Sequence, residues 1–327
     1  MFRRQTVSRK WCSQPKPSLS DSEQAGWSAR PPRSISLPTS RLLQMFKIIH
    51  VSDTHIEPVG RFVVGLNPHE RLGQVVQAIN ESHADAALCV ITGDLTDRGD
   101  EGSYRAFADI VNELKVPCRL LLGNHDNREI FRRVFPDAPF DASGFIQSTA
   151  DFGDTRLIFL DSLHDNHAGL GQLCNARLEW LERVSQEAAA TGRRSVIFIH
   201  HPPFSVGVRM FDQMLLENPA PFLNQITASK PLHLAFGHLH LTTSGSWNGI
   251  PYSCNRGVAH RIALSLDGDV TEFIEAEPTF DVMLISPNGV LVHHTAPTTA
   301  TSVIAREYPT EDGKGHQVML RTDIAGV

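Results

Sequence analysis

The chain has 327 residues, which is enough for one large domain or two small ones with a sizeable core. With 41% hydrophobic and 20% charged residues, its composition is ordinary for a soluble globular protein, and no apolar run reaches the roughly 18 residues of a membrane span. The formal net charge of −6 argues against a surface for nucleic-acid polymers, which needs a basic stripe, but not against a small phosphorylated ligand.

The cysteines indicate a reducing compartment. There are five of them, an odd number, and no pair has the spacing C-x-x-C, which disfavours a disulfide framework. Cys89 and Cys118 fall within apolar runs that predict core strands. We therefore predict a cytoplasmic protein without a membrane partner.

Residues 1–44 differ from the rest of the chain because they are rich in Ser, Pro, Arg and Gln and lack apolar periodicity. No apolar h-region follows the positive start, which disfavours a signal peptide, and Asp21 and Glu23 weaken the case for a transit peptide. We predict a disordered N-terminal extension. An alternative is that Met45 is the natural start, since a strand-like run begins directly after it.

From residue 46 onwards, apolar runs that predict strands alternate with helical patterns. This alternation predicts an α/β layered architecture in which sheets pack against helices. The predicted helices are 68–82, 101–114 and about 172–190, and the predicted strands are 46–51, 86–92, 118–122, 156–160, 195–199 and 232–236.

After His240 the pattern changes to short strand-like pieces separated by Gly, Asn and Asp. We predict that 241–295 forms antiparallel strands that complete a second sheet, with a hairpin turn at Leu266-Asp267-Gly268-Asp269. The domain predicted from these patterns covers 45–295. The polar, Thr-rich tail 296–327 has one strand-like piece near 318–320.

Five polar clusters each follow the end of a predicted strand. Because ligands of open α/β sheets bind at the carboxyl ends of strands, we expect these side chains to meet at one rim. Their carboxylate, amide and imidazole groups form a ligand set for two adjacent divalent metals, which commonly serve phosphate ester chemistry. The clusters are Asp53-Thr-His55, Gly93-Asp94, Gly123-Asn124-His125-Asp126, His200-His201-Pro202-Pro203 and Gly237-His238-Leu239-His240.

The i, i+2 spacing of two clusters predicts that each places its pair of side chains on one side of an extended segment. These pairs are Asp53 with His55 and His238 with His240. In the third cluster, Gly123 permits a tight turn, and Asn124 either is a neutral metal ligand or caps a helix.

The clusters together resemble the calcineurin-like metallophosphoesterase superfamily. The spacings in Gly-Asn-His-Asp, His-His-Pro-Pro and Gly-His-x-His look most like its class III cyclic-nucleotide phosphodiesterase branch, which includes relatives that act on glycerophosphodiesters. The resemblance covers roughly residues 46–275 with every motif intact. It implies a four-layer αββα sandwich with two central mixed sheets flanked by helices.

The resemblance also implies roles for the residues of the clusters. Two divalent ions, Fe, Mn or Zn, would be held, the first by Asp53, His55 and His240, the second by Asn124, His200 and His238, and Asp94 would bridge them. His125 would stabilise developing charge or protonate the leaving group. From its position we expect Asp126 either to orient His125 or its loop through a hydrogen bond or to cap a helix. The resemblance does not fix the substrate contacts. We expect His201 either to support the metal ligands or to contact the substrate, and Asn255, Arg256 and His260 to contact it, with Arg98 as a weaker candidate.

We therefore predict a metal-dependent phosphoric diester hydrolase with 3′,5′-cyclic AMP as the lead substrate. Glycerophosphodiesters, 2′,3′-cyclic nucleotides, cyclic sugar phosphates and phosphomonoesters remain open as alternatives, as does a homodimer. A non-catalytic scaffold is disfavoured because no ligand is missing from the motifs, and a structural zinc site is disfavoured because the clusters contain no cysteine.

Overall fold

The computed structural model describes residues 45–167, 169–266 and 270–297, together with the backbone of three strands near the termini. The chain divides into two compact units, Leu43–Ala300 and the combination of Met1–Leu42 with Thr301–Val327. The five polar clusters all belong to the larger unit.

Three of the described α-helices begin with a side-chain cap. Asn67 caps the first helix by accepting hydrogen bonds from the backbone amides of His69 and Glu70, and Pro68 occupies the first turn, where its missing N–H costs nothing. None of the helices in the described ranges is long and apolar enough to cross a membrane. The helices are α1 (Pro68–Ser82), α2 (Glu101–Val111), α3 (Arg128–Val134), α4 (Asn175–Ala190) and α5 (Ala220–Ser229), with a single 3₁₀ turn at Phe211–Gln213.

The strands are numbered in chain order through both units. They are β1 (Phe2–Gln5), β2 (Phe46–Val51), β3 (Leu88–Ile91), β4 (Cys118–Leu120), β5 (Ser148–Phe152), β6 (Thr155–Leu160), β7 (Gly171–Gln172), β8 (Arg194–Ile199), β9 (Leu216–Glu217), β10 (His233–Phe236), β11 (Thr243–Trp247), β12 (Ile250–Cys254), β13 (Arg261–Ile262), β14 (Phe273–Ile274), β15 (Phe280–Ser286), β16 (Gly289–Thr295), β17 (Ala305–Pro309) and β18 (His316–Arg321).

Two mixed sheets form the centre of the larger unit. Sheet I has the strand order β16-β15-β2-β3-β4, in which β2, β3 and β4 are parallel. Sheet II has the order β11-β12-β10-β8-β6-β5, in which β12, β10, β8 and β6 are parallel. The parallel strands of each sheet therefore end at a common edge.

Three buried apolar layers hold these elements together. One lies between sheet I and helices α1 to α3, a second lies between the two sheets, and a third lies between sheet II and helices α4 and α5. Strands such as β3 and β10 are buried along their whole length, which explains why they read as continuous apolar runs. This arrangement confirms the predicted αββα sandwich.

The prediction that 241–295 completes one second sheet is wrong. Strands β11 and β12 extend sheet II, but β15 pairs with β2 in antiparallel register, with Asp281 opposite His50, and β15 and β16 thereby extend sheet I. Strands β13 and β14 form a separate antiparallel pair. The predicted turn residues 267–269 lie outside the described residues.

In the smaller unit, β1, β18 and β17 form a three-stranded antiparallel sheet. Strand β18 contains the strand-like piece predicted near 318–320. Residues Phe2–Gln5 are a strand rather than part of a disordered extension, because they pair with β18. The disorder predicted for the remainder of 1–44 falls outside the described residues and stays a prediction.

Candidate active site

The five clusters follow β2, β3 and β4 of sheet I and β8 and β10 of sheet II, and they meet at the carboxyl ends of both sheets. The structure therefore brings together the side chains that the sequence placed at strand ends. Within each of four groups, the metal-binding atoms lie within 4.8 Å of one another. The groups are Asp53, His55 and His240; Asp53, Asp94 and His200; His55, Asp94 and His125; and His200, His201 and His238.

The prediction of an extended backbone at the pairs Asp53 with His55 and His238 with His240 is wrong. These four residues, and Asp94 as well, have left-handed backbone conformations, which are uncommon for residues other than glycine and are typical of functional sites. Side chains that are two residues apart are thus brought together by tight turns instead of by strand alternation. The φ angles are 52° at Asp53, 43° at His55, 46° at Asp94, 71° at His238 and 49° at His240.

Hydrogen bonds between the loops hold these turns in place. The backbone amide of Asp53 donates to the carbonyl of Gly93 at 3.1 Å, and that of His55 donates to the carbonyl of Asp94 at 2.9 Å. The Asp94 carboxylate accepts a hydrogen bond from the backbone amide of His125 at 2.9 Å. The loops after β2, β3 and β4 consequently form one connected support.

Two glycines allow the loops to approach one another closely. A Cβ atom on Gly123 would overlap the Asp94 carboxylate and lie 2.7 Å from Nε2 of His200, and one on Gly237 would overlap the Ser52 hydroxyl. Neither glycine has a positive φ angle, so it is the absence of a side chain that the site requires here. This replaces the tight-turn explanation that the sequence suggested for Gly123.

Three imidazoles share the same hydrogen-bonding pattern at their ring nitrogens. In each, Nδ1 is hydrogen bonded to an oxygen, namely Oδ1 of Asp97 for His55 at 3.0 Å, the carbonyl of Thr92 for His200 at 2.8 Å, and the carbonyl of His260 for His240 at 3.1 Å. Such outer partners fix the tautomer of metal-binding histidines and leave Nε2 as the ligand atom.

The ligand atoms fit a metal centre. Buried polar atoms normally have partners, yet Oδ1 of Asn124 and Nε2 of both His200 and His238 are buried without any hydrogen bond. On the other side, Nε2 of His55 and Nε2 of His240 lie only 3.2 Å apart. A cation is the group that would satisfy so many converging lone pairs at once.

Charges within the site shift the pKa values strongly. Burial opposes the charged form of Asp94, but the charge of His200 and its other imidazole neighbours outweigh this and hold the pKa well below its usual range. Burial lowers the pKa of His200, but the negative charge of Asp94 outweighs this effect and raises the pKa to about 9. Burial, followed by the charge of His200, lowers the pKa of His238 to about 3.

A cavity of about 330 Å³ opens onto the ligand atoms. His125 lies on it with its side chain 40% exposed, and its Nδ1 contacts the carbonyl of Asp97 at 2.8 Å. The ring of His125 packs edge-on against His55. A side chain placed between the ligand set and solvent can reach a bound substrate, which suits an acid or a charge stabiliser.

The wall of the cavity away from the ligands is apolar, and the sequence did not reveal it. The residues of this wall come from separate loops with no shared motif, although Val64 has a φ angle of 45°, which is rare for a β-branched residue. No Arg or Lys is among the described residues that line the cavity. The apolar wall consists of Val63, Val64, Met210, Phe211, Met214, Ile262 and Phe273.

Of the expected substrate contacts, His260 lines the cavity, where its ring stacks on His240 with centroids 3.9 Å apart. Burial, followed by the charge of His240, lowers the pKa of His260 to about 2, so the ring is neutral near pH 7. His201 is fully buried behind the ligands. A direct substrate contact by His201 is therefore incompatible with this structure.

Three expected contacts are engaged elsewhere. The side chain of Asn255 is buried and accepts a hydrogen bond from the backbone amide of Gly257, and Arg256 donates to the carbonyl of Glu277 at 2.7 Å. Arg98 forms an ion pair with the buried Glu57 at 2.7 Å. None of the three lines the cavity.

Asp126 holds the loop of His125 rather than its ring. The carboxylate accepts hydrogen bonds from the backbone amides of Leu95, Thr96 and Gly123 and from the Tyr104 hydroxyl. It does not cap the following helix, because the side chain of Asn127 does so. Burial, followed by the charge of Asp94, raises the pKa of Asp126 to about 6.

Comparison with known proteins then decides the family. Residues 46–242 match the family model described as calcineurin-like phosphoesterase. The chain belongs to the calcineurin-like phosphoesterase family. It is 42% identical over 253 residues to a probable cyclic nucleotide phosphodiesterase of Rhodopseudomonas palustris, a match that covers 76% of this chain and 91% of that protein.

One further relative and one solved structure are also similar to this chain. A probable glycerophosphodiester phosphodiesterase of Arcobacter nitrofigilis is 30% identical over 254 residues, covering 76% of this chain and 92% of that protein. The solved structure of a dimetal phosphatase from Danio rerio has the same fold, with a TM-score of 0.56, 14% identity, and coverage of 76% of this chain and 98% of that one.

The matches confirm the predicted superfamily and its cyclic-nucleotide phosphodiesterase branch. They also confirm the predicted enzyme class, a phosphoric diester hydrolase of a metal-binding family.

Proposed function

We propose that this phosphoesterase uses two divalent metal ions to hydrolyse cyclic nucleotides, with 3′,5′-cyclic AMP as the lead substrate. The observation that carries the proposal is the convergence of unpartnered Asn124 and histidine ligand atoms at the base of a cavity that also exposes His125. The name of the Rhodopseudomonas relative supports the nucleotide as substrate.

The proposed ligand sets are those implied by the motifs. Asp53, His55 and His240 would hold one ion, Asn124, His200 and His238 would hold the other, and Asp94 would contact both. The contacts of Asp94 support its bridging role, because its Oδ2 lies 3.6 Å from Nε2 of His55 and 3.3 Å from Nε2 of His200. Iron, manganese and zinc all suit this mixture of carboxylate and imidazole ligands.

When bound, the ions would supply a water of lowered pKa and polarise the phosphoryl oxygens. The residues of the chain do the rest. As the bond between phosphorus and the leaving oxygen breaks, His125 gives its proton to that oxygen and becomes neutral. Asp126 holds the loop that carries His125, and the backbone carbonyl of Asp97 contacts Nδ1 of His125 at 2.8 Å.

The apolar wall favours a substrate with a flat or apolar group beside the phosphate. Phe273 is 51% exposed at the cavity and packs edge-on against His260, so the Phe273 ring offers a surface for stacking a base. A glycerol group would leave this wall unused. For this reason we place cyclic nucleotides ahead of glycerophosphodiesters.

The absence of Arg and Lys from the described lining favours a singly charged diester over a doubly charged monoester. The intact ligand set and the accessible His125 favour an enzyme over an interaction scaffold. We also propose a reducing cytoplasm as the location, with support from the four free thiols in the described part of the chain, Cys89, Cys118, Cys174 and Cys254.

The proposal is tested by metal analysis and a substrate panel. Purified protein should contain two divalent ions per chain and, with added Mn or Fe, should hydrolyse 3′,5′-cyclic AMP faster than 2′,3′-cyclic AMP, a cyclic sugar phosphate or glycerophosphoethanolamine. It should act poorly on 5′-AMP. A folded protein without bound metal would refute the mechanism, and a preference for one of the other esters would replace the substrate.

Variants test the ligand assignment independently of the natural substrate. Asn124→Ala and His238→Ala should each abolish turnover of bis(p-nitrophenyl) phosphate while the protein stays folded. Unchanged turnover in either variant would contradict the proposed second set of ligands.

A further inference from the structure

Three buried polar residues, Asp281, His50 and Thr92, form a polar strip across sheet I. Nδ1 of His50 lies 3.2 Å from Oδ2 of Asp281, and Nε2 of His50 lies 2.8 Å from the hydroxyl of Thr92. Asp281 is on β15, His50 lies opposite it on β2, and Thr92 directly follows β3. All three are fully buried, and none is among the described residues that line the cavity.

The polar strip lies in an otherwise apolar layer. Ile48 and Met283 belong to the buried layer between the two sheets, and each lies two residues from a member of the strip, a spacing that points side chains to the same face of a strand. His50 accordingly packs edge-on against Phe198 of sheet II. Apolar residues of similar volume often stabilise such a position as well as a buried charged pair does. Stability alone therefore does not account for the strip.

The carboxylate of Asp281 fixes a proton on His50. Burial opposes the charged form of Asp281, but hydrogen bonds from His294 and His50 lower its pKa, so it is ionised near neutral pH. An ionised carboxylate only accepts hydrogen bonds, so Nδ1 of His50 donates to it. The ring is held by this bond with its Nε2 at the Thr92 hydroxyl.

Thr92 connects the polar strip with the proposed second metal ion. Its backbone carbonyl accepts a hydrogen bond from Nδ1 of His200 at 2.8 Å, which leaves Nε2 of His200 3.3 Å from Oδ2 of Asp94. Its backbone amide donates to the carbonyl of Val51 at 3.0 Å, and its hydroxyl lies 2.9 Å from that of Ser52. The direction of the His200 ring thus depends on how Thr92 is held.

We propose that His50 and Asp281 are positioning residues for the second metal ion, which they influence through Thr92 and the imidazole of His200. The inference rests on the proposed function, because it presumes that His200 binds a metal. Without His50, the Thr92 hydroxyl loses one of its contacts, and the Thr92 carbonyl no longer holds the His200 ring in a single direction.

The test is Mn(II) binding to the whole protein after chelation, measured by isothermal titration and by electron paramagnetic resonance of the coupled pair of ions. His50→Leu combined with Asp281→Val replaces the pair by apolar residues, and its free energy of unfolding in urea should be unchanged or higher. We expect Mn(II) affinity at the second site to fall about tenfold, with loss of the coupled signal, while the first site still fills. Unchanged Mn(II) binding, or equal losses at both sites, would overturn the inference.

Variants of Thr92 test the same connection with a smaller change. Thr92→Val keeps the shape and the backbone carbonyl but removes the hydroxyl, and it should weaken the second site about tenfold as well. Thr92→Ser keeps the hydroxyl and should bind both ions normally. Equal Mn(II) affinities in these two variants would contradict the role of the hydroxyl and with it the inference.

His233→Leu is the matched control. His233 is also buried and also contacts a hydroxyl, that of Ser253 at 2.8 Å, but it lies outside the four metal-binding groups. Its variant should bind two Mn(II) ions normally. A loss equal to that of the double variant would mean that buried imidazoles act here only through packing, and the inference would be overturned.

His238→Ala separates this inference from the proposed function. If His238→Ala loses the second ion but the double variant binds Mn(II) as the unmodified protein does, the inference fails and the two-metal proposal stands. If neither changes Mn(II) binding, the proposed second site itself fails.

Discussion

The backbone amide of His238 donates to both carboxylate oxygens of Asp53, at 3.1 and 3.0 Å. Asp53 follows β2 of sheet I and His238 follows β10 of sheet II, so this contact joins the two sheets within the ligand set. Gly237 permits the approach, because a Cβ atom there would lie 2.6 Å from Oδ2 of Asp53.

We therefore expect Gly237→Ala to separate the two loops. Overpacking at this contact should lower the free energy of unfolding by about 1–3 kcal/mol and reduce metal content. The control is Gly73→Ala in helix α1, where a Cβ atom meets nothing within 4 Å and should stabilise the helix by about 0.5–1 kcal/mol. Urea unfolding and metal analysis of both variants check the prediction, which a fully metal-loaded Gly237→Ala protein of normal stability would contradict.

His125 is expected to act on the leaving group. His125→Ala should lower kcat for cyclic AMP by about 10²–10⁴-fold and retain both metals. The loss should be much smaller with bis(p-nitrophenyl) phosphate, because its leaving group needs no proton. If both substrates lose activity equally, His125 stabilises charge on the phosphoryl group instead, and if the metals are lost it is a ligand.

Phe273 is expected to contact the base of a nucleotide. Phe273→Ala should raise KM for cyclic AMP by about 5–150-fold, the usual range for loss of a base-stacking ring, and leave KM for glycerophosphoethanolamine nearly unchanged. Phe140→Ala is the control, because Phe140 is 49% exposed, close to the 51% of Phe273, and packs instead on Arg132. Equal increases for both substrates would show that Phe273 supports only the shape of the cavity.

An ion pair away from the metals predicts how stability depends on pH. Nδ1 of His294 lies 2.8 Å from the buried Asp281 carboxylate, and this hydrogen bond raises the pKa of His294 above 6.5. A raised pKa in the folded state means that the stabilisation is complete below pH 6.5 and is lost as the pH rises through the folded-state pKa.

Urea unfolding of metal-loaded protein above pH 6.5 should therefore show a decline in the free energy of unfolding that His294→Gln lacks. The neighbouring His293→Gln should keep the decline of the unmodified protein. At low pH, stability depends on Asp281. Burial opposes the charged form of this carboxyl group, but hydrogen bonds from His294 and His50 outweigh burial and lower its pKa. The contribution of Asp281 to stability is therefore lost as the pH falls below 3.8. A His294→Gln profile identical to that of the unmodified protein would exclude the ion pair as the cause.

Much of the fold was predictable because its signals are local. Asn67 and Pro68 mark the start of α1, and the predicted bounds of that helix match the structure. The apolar run at Phe46–Val51 likewise predicts β2 correctly. Helix α3 was not predicted, because it has seven residues and only Phe131 is buried, which is too short for a periodic pattern.

Other features were not predictable because they depend on contacts distant in sequence. Nothing near Asp281 indicates that β15 pairs with β2 rather than with a strand of sheet II. The left-handed backbone at Asp53 and His55 is held by hydrogen bonds that their amides donate to carbonyls of the loop after β3, and their own sequence does not require it. The apolar wall at Phe273 and Met210 is similarly assembled from separate segments.

The origin of the ligands in both sheets has a mechanical consequence. Under the proposed assignment, Asp53 and His55 of sheet I share one ion with His240 of sheet II, and Asn124 of sheet I shares the other with His200 and His238 of sheet II. Each ion would therefore act as a cross-link that clamps the sandwich at one end. Removing the ions with a chelator should let that end open while the apolar layer between the sheets still holds the other.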